Sequence, residues 1–182
     1  TDGTFSANAK SHQAVSQADT IIVKWSSQGI VQDVIGLSSP ATKINLPHDL
    51  IITQTDDVVV SGVFLGSLDA GNQNTLTDKG NGDGYVVKIL KSGASSWATS
   101  AGGSSGLERV YSIAETSNGD FIAGGMISSS ADFGIHVTNT NGGLDLYMAQ
   151  LDSMGNWQWV ENLGGTADDL FAVVPKNKSI FV

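Results

Sequence analysis

The stretch GGLDLYMAQLDSMGNWQWVENLGG, residues 142–165, decides the fold, because the chain contains a second version of it, GDGYVVKILKSGASSWATSAGG, at residues 82–103. In both, an Asp precedes an aromatic residue and alternating apolar positions, a Gly marks a turn, a Trp follows, and the segment closes on Gly-Gly. Asp83 and Asp145, Tyr85 and Tyr147, Trp97 and Trp159, and Gly103 and Gly165 are each 62 residues apart. Four markers at one spacing identify an internal repeat. Upstream, VVVSGVFL (58–65) parallels FIAGGMIS (121–128), and Asp69 precedes Asp132 by 63 residues, so the whole unit recurs with small length changes in its loops.

A third copy is cut in two. ADTIIVKWSSQG (18–29) follows the pattern of GDGYVVKILKSG, which places Asp19 with Asp83 and Asp145, while LFAVVPKNKSIFV (170–182) matches VYSIAETSNGDFIA (110–123). The 182 residues therefore read as a single domain of three units, roughly 46–105, 106–166, and 167–182 joined with 1–38.

Within each unit the apolar residues alternate, as in Ile21, Val23 and Trp25 or Tyr85, Val87 and Ile89, between clusters of Gly, Asn, Asp and Ser. Period 2 predicts strands, and in the middle copy these fall at about 109–116, 119–127, 145–152 and 157–163. Asn118-Gly119 predicts a hairpin turn with positive φ at both central residues, and DSMGN plays a similar part. A longer polar stretch separates the second and third strands, and no segment carries a helical stripe. A four-stranded antiparallel unit at fixed period is the signature of a propeller blade, since one such sheet has two apolar faces and hides them only by stacking on neighbours around an axis. The expectation is an all-β β-propeller of three four-stranded blades, one of them split between the termini. Gly124 and Gly125 suit crowded strands near the axis, and Trp97 and Trp159 suit the faces between blades.

The pairs GTFSANA with DTIIVKW, GVFLGSLDAG with DGYVVKIL, and GMISSSADFG with DLYMAQLD cover essentially the whole chain. This pattern resembles the β-propeller repeat of bacterial surface proteins often called the SBBP or delta-60-like repeat. The resemblance implies a large extracellular or surface-attached protein with a binding role. The first copy departs from it, with VQDVIGLSS in place of the Trp and paired Gly. Three blades do not close a ring, because propellers typically hold about 4 to 8. The chain is thus expected either to pair head to tail in a homodimer or to belong to a longer array.

Composition narrows the functions. The net charge is -9 with only 15% charged residues, a field that repels phosphate backbones and anionic lipid, so nucleic acid is not an expected partner. The chain has no cysteine, which excludes disulfides, thiolate metal sites and cysteine nucleophiles. No apolar run approaches the ~20 residues of a membrane helix, so membrane insertion is not expected. The opening TDGTFSANAK lacks the basic and apolar regions of a signal peptide.

Asp19, Asp83 and Asp145 admit two readings: a ligand or metal position repeated around a ring, or a carboxylate accepting backbone N–H groups at the turn into a strand. Recurrence in every unit favours architecture. The long loops SANAKSHQAVSQA, GSLDAGNQNTLTDKGNG and SSSADFGIHVTNTNGG are better places for function. Asp69, Asn74, Asp132, Phe133, His136 and Asn139 are the candidate ligand-binding residues, with Phe133 as a sugar platform and the others as hydrogen-bonding groups. Alternatively, Phe133 packs under its own loop. Asp78, Asn81 and Asp83 carry a fragment of an alternating oxygen-ligand pattern for calcium, without the full spacing or a final Glu.

Zinc and serine chemistry find no support. His12, His48 and His136 are dispersed, with His48 in the register of Tyr111 and Phe171, and there is no Gly-x-Ser-x-Gly elbow. Adjacent Asp168 and Asp169 would point to opposite faces of a strand. The sequence thus reads as a non-enzymatic binding or adhesion module at the cell surface or outside the cell, with glycan or surface protein as partner. A structural spacer of a larger surface protein is the alternative, and a propeller hydrolase a distant third.

Overall fold

A computed structural model describes residues 3–169, 174–176 and 179–181. The chain is all-β, with no helix among the described residues. It opens with the hairpin β1 (Thr4–Ala7) and β2 (Lys10–Gln13), followed by the antiparallel pair β3 (Thr20–Trp25) and β4 (Val31–Leu37). Next come β5 (Asn45–Ile52), β6 (Val58–Phe64), a small hairpin β7 (Ser67–Asp69) and β8 (Thr75–Thr77), then β9 (Asp83–Ile89) and β10 (Ser95–Gly102). The same order returns as β11 (Arg109–Glu115), β12 (Phe121–Ile127), a hairpin β13 (Ala131–Phe133) and β14 (His136–Thr138), then β15 (Asp145–Leu151) and β16 (Trp157–Asn162). A last hairpin, β17 (Val174–Lys176) and β18 (Ser179–Phe181), follows.

Two four-strand antiparallel units are therefore present, β5-β6-β9-β10 and β11-β12-β15-β16. Their registers repeat the sequence spacing: Trp97 faces Lys88 as Trp159 faces Gln150, and Gly62 faces Tyr85 as Gly125 faces Tyr147. Two expectations need correction. The polar stretch between second and third strands is not plain loop but a hairpin, β7–β8 or β13–β14. The halves of the split unit, β3–β4 and β17–β18, form separate two-stranded sheets. No ring closes among the described residues. Phe171 lies outside them, but its counterparts His48 and Tyr111 do pack on each other across the two units, ring centroids 4.9 Å apart.

In each complete unit one recurring device turns the first strand into the second and the third into the fourth. Gly119 N–H donates to Thr116 O (3.1 Å) while Thr116 N–H donates to Asp120 O (2.8 Å), and the same pair of bonds closes 152–156 and 90–94. Only the fourth residue is left-handed: Gly119 and Gly155 at φ +85°, Gly93 at +92°, Gly29 at +78° in the same turn at 26–30, and Asp56 at +63° in that at 53–57. Asn118 keeps a negative φ, so the Asn-Gly turn is not the doubly left-handed type expected of it. The five-residue loop leaves room for a type I turn, in which a single left-handed residue suffices. A Cβ at Gly155 would stand 2.6 Å from the Trp97 ring, whereas one at Gly119 would meet nothing within 4 Å. Gly119→Ala is expected to cost about 1 kcal/mol from backbone strain alone and Gly155→Ala about twice that, measured by urea denaturation.

Packing between the two units makes the main core. Val59, Val86 and Ala101 of the first meet Val110, Ile113, Phe121, Tyr147 and Leu151 of the second. Trp97 crosses the junction as expected, edge-on to Phe121 at 5.9 Å, and donates its indole N–H to Ser153 O at 3.1 Å. The loop hairpins lock the units further. β13 pairs with β10 through Ala101 with Phe133 and Gly102 with Asp132, so each hairpin lies on the last strand of the preceding unit. The first unit repeats this arrangement through reciprocal backbone bonds between Ser38 and Asp69, at 2.8 and 3.0 Å. Gly125 is needed for close approach of side chain to strand: a Cβ there would run into Arg109 O and the Tyr147 ring.

Candidate functional site

The three recurrent aspartates act alike. Asp19 accepts the N–H of Val15 (2.9 Å), Asp83 that of Lys79 (3.3 Å) and Asp145 that of Asn141 (2.6 Å), in each case the residue four positions earlier. They anchor the end of the long loop to the start of the third strand of a unit, which is the architectural reading. The closing Gly-Gly serves them, because a Cβ at Gly102 would collide with the Asp83 carboxylate and one at Gly164 with that of Asp145.

Their environments differ nonetheless. Burial works against the Asp19 carboxylate, but hydrogen bonds from Ser16, Val15 and Ser39 outweigh it and hold its pKa below the usual range. At Asp83 burial dominates and, with Asp78 and Asp132 nearby, pushes the pKa up to about 6. Glu108 at the same junction is pushed up to about 7, first by burial and further by Asp83, against the Gly103 N–H that it accepts at 3.1 Å. Such elevated carboxyls resemble those of catalytic acids. Both side chains are fully buried. Sequence reasoning missed Glu108. The signal was an acid soon after each Gly-Gly, since Asp169 likewise accepts the Gly165 N–H, at 2.6 Å.

Of the calcium candidates, Asp78 and Asp83 are neighbours, and each side chain has its own setting. Asp78 is occupied by Gly66 N–H at 2.8 Å, Asp83 is buried, Asn81 is exposed, and no three such side chains gather for a metal ion among the described residues.

The proposed ligand set is also divided. Asp69 accepts Gly71 N–H in its own turn, Asn74 donates to Ser95 Oγ, and Asp132 is paired with Lys79 Nζ at 2.9 Å. Phe133 is not an accessible platform. Its ring is fully buried, 4.7 Å from Tyr147 and 5.0 Å from Trp157, both edge-on. Alternation in β13 turns it inward while its neighbour Asp132 points out. Asn139 is exposed, and its carbonyl accepts a bond from the Asn162 amide at 2.5 Å.

His136 alone lines an open groove, of about 520 Å³, together with Thr99, Ile135, Asn156, Trp157 and Gln158. The Asn156 and Gln158 amide nitrogens donate to Asp152 at 3.0 and 3.1 Å, which fixes the planes of both amides and turns their oxygens away from that carboxylate. The groove thus combines an imidazole, a hydroxyl, two oriented amides and an apolar wall. None of the groove residues from the last strand was singled out in the sequence, because pairing of β13 onto β10 is what brings 134–136 beside 155–158. No family model matches the chain, and no curated protein is significantly similar to it.

Proposed function

We propose that the protein is a propeller-type binding module of the cell exterior, non-enzymatic, that holds a glycan or a polar segment of a surface protein in the groove around His136. The observation that carries the reading is the set of oriented amides beside an imidazole and an exposed apolar residue, Ile135, without a reactive pair. Sugar hydroxyls and polar peptide groups are recognised by such fixed donors and acceptors against an apolar surface. The 62-residue repeat, its antiparallel units and its resemblance to the surface-protein propeller repeat support the architecture and the location. Individually weak sites of this kind gain strength when several are held in one assembly.

Glycan-array binding of the wild type that falls at least about tenfold in His136→Ala and Gln158→Ala supports the reading. A wild type that binds no glycan or surface polypeptide, or variants that bind as well as it does, removes it. Structural-spacer function is favoured by one observation: Asp69, Asn74, Asp78 and Asp132 all spend their side chains on internal bonds. It becomes the first reading if the arrays are blank.

A further inference from the structure

Two apolar residues in the first half of the chain are exposed where their repeat counterparts are buried. Leu50 faces Val60 as Ile113 faces Ala123, yet Leu50 is 44% exposed and Ile113 2%. Trp25, Ile89 and Leu151 end equivalent strands, opposite Val31, Ser95 and Trp157, and they are 55%, 1% and 0% exposed. Ile113 is covered because β11 packs on β5 and β6 of the unit before it. Ile89 and Leu151 are covered because β9 and β15 have neighbours on both sides, β6 and β10 or β12 and β16. β3 has β4 alone.

Among the described residues, no first half of a unit stands beside β3–β4 at this junction. Between the two complete units the corresponding space holds Val59 of β6, Ile51 of β5 and Trp97. Here it remains a cavity of about 330 Å³ walled by Ile22, Ile35, Leu50, Ile52, Ile89 and Leu90. The other end of the chain carries a half of the missing kind. β17 lies against β11 as β11 lies against β5, so the β17–β18 hairpin stands where the first two strands of a further unit would stand. Within one chain this hairpin and β3–β4 belong to different sheets.

We propose that the free edge of β3 receives the β17–β18 hairpin of a second copy of the chain, with β18 antiparallel to β3, completing a four-strand unit and covering Leu50 and Trp25. The occupant follows from complementarity: a last half and a first half of the same repeat, each with one open edge. An edge strand with unpaired backbone groups pairs most readily with a strand of matching alternation. Two such junctions related by a two-fold axis would leave neither half-unit without its other half. The ring this makes rests on the propeller-type reading, whereas the pairing of β3 with β18 does not.

The test is native mass spectrometry and small-angle scattering of the wild type, Leu50→Glu and the control Ile135→Glu at micromolar concentration. A dimer whose dissociation constant rises at least about tenfold in Leu50→Glu but not in Ile135→Glu supports the proposal. A monomeric wild type, or a dimer indifferent to Leu50→Glu, overturns it. Should Leu50→Glu fail to fold, amide exchange of residues 20–25 in the wild type gives the same decision. Protection that disappears on dilution supports docking on β3, and protection independent of concentration overturns it. A monomer that scatters as a curved ring segment leaves the propeller-type architecture standing without the docking. A dimer that scatters as an open, elongated stack keeps the docking and removes the ring.

Discussion

Phe133→Ala is expected to destabilise the protein by about 3–5 kcal/mol, the range for removing a fully buried aromatic ring. Phe133 lies in a three-residue strand of a surface hairpin, a place where truncation would ordinarily be tolerated. Its ring nevertheless fills the space between Tyr147 and Trp157. Trp157 in turn reaches across to the preceding unit, donating its indole N–H to Ser100 O at 3.0 Å. Removal of the ring would therefore loosen the hairpin, its own unit and the junction together. Urea denaturation of Phe133→Ala, Phe133→Leu and His136→Ala separates the effects. His136→Ala should stay within about 0.5 kcal/mol of wild type, as surface changes usually do, and Phe133→Leu should fall between. A loss below about 1 kcal/mol for Phe133→Ala would contradict its place in the core.

The second large effect is on pH. Asp83 is displaced from 3.8 to about 6 and Glu108 from 4.5 to about 7, so the native state holds protons that the unfolded chain has released. Between about pH 4 and 7 the native state binds more protons, and the free energy of unfolding falls as pH rises through that window. Each pH unit of displacement is worth about 1.4 kcal/mol. Because the two carboxyls share one neighbourhood that relaxes as it charges, the combined loss between pH 5 and pH 8 is expected to be about 2–3 kcal/mol. The double variant Asp83→Asn, Glu108→Gln should flatten this slope, read from urea midpoints at several pH values. An unchanged slope would show that the pair is hydrated. Asp19, Asp57 and Asp152 act in the opposite sense, since net hydrogen bonding lowers their pKa against burial and their contribution is lost as pH falls below about 4.

Much of this architecture is legible in the chain because it is written more than once. The strands of the second complete unit fall within two residues of their expected bounds, and the aspartates, the Gly-Gly pairs and Trp97 play the structural parts that recurrence suggests. The candidate site was far less legible. Asp69, Asn74 and Asp132 looked free because their partners, Gly71, Ser95 and Lys79, are set by turns and by packing between units. Phe133 was ambiguous for a similar reason: a three-residue strand is too short to display a period, and only pairing with Ala101 shows which way the ring points. Thr99, Asn156 and Gln158 carry no motif and meet His136 only through the hairpin that crosses from one unit to the next. The turns show a subtler limit, since Asn-Gly is compatible with several turn types and loop length chooses among them.

The crossing hairpins also give the molecule a direction. The β7–β8 and β13–β14 hairpins each reach back to the end of the sheet before them, as roof tiles overlap, so both seams point the same way along the chain. Pulled from its two ends, such a chain would shed its short hairpin seams before its longer sheet ladders. A protein exposed to flow or to shear between surfaces would then yield by stages, each seam able to close again when the tension falls.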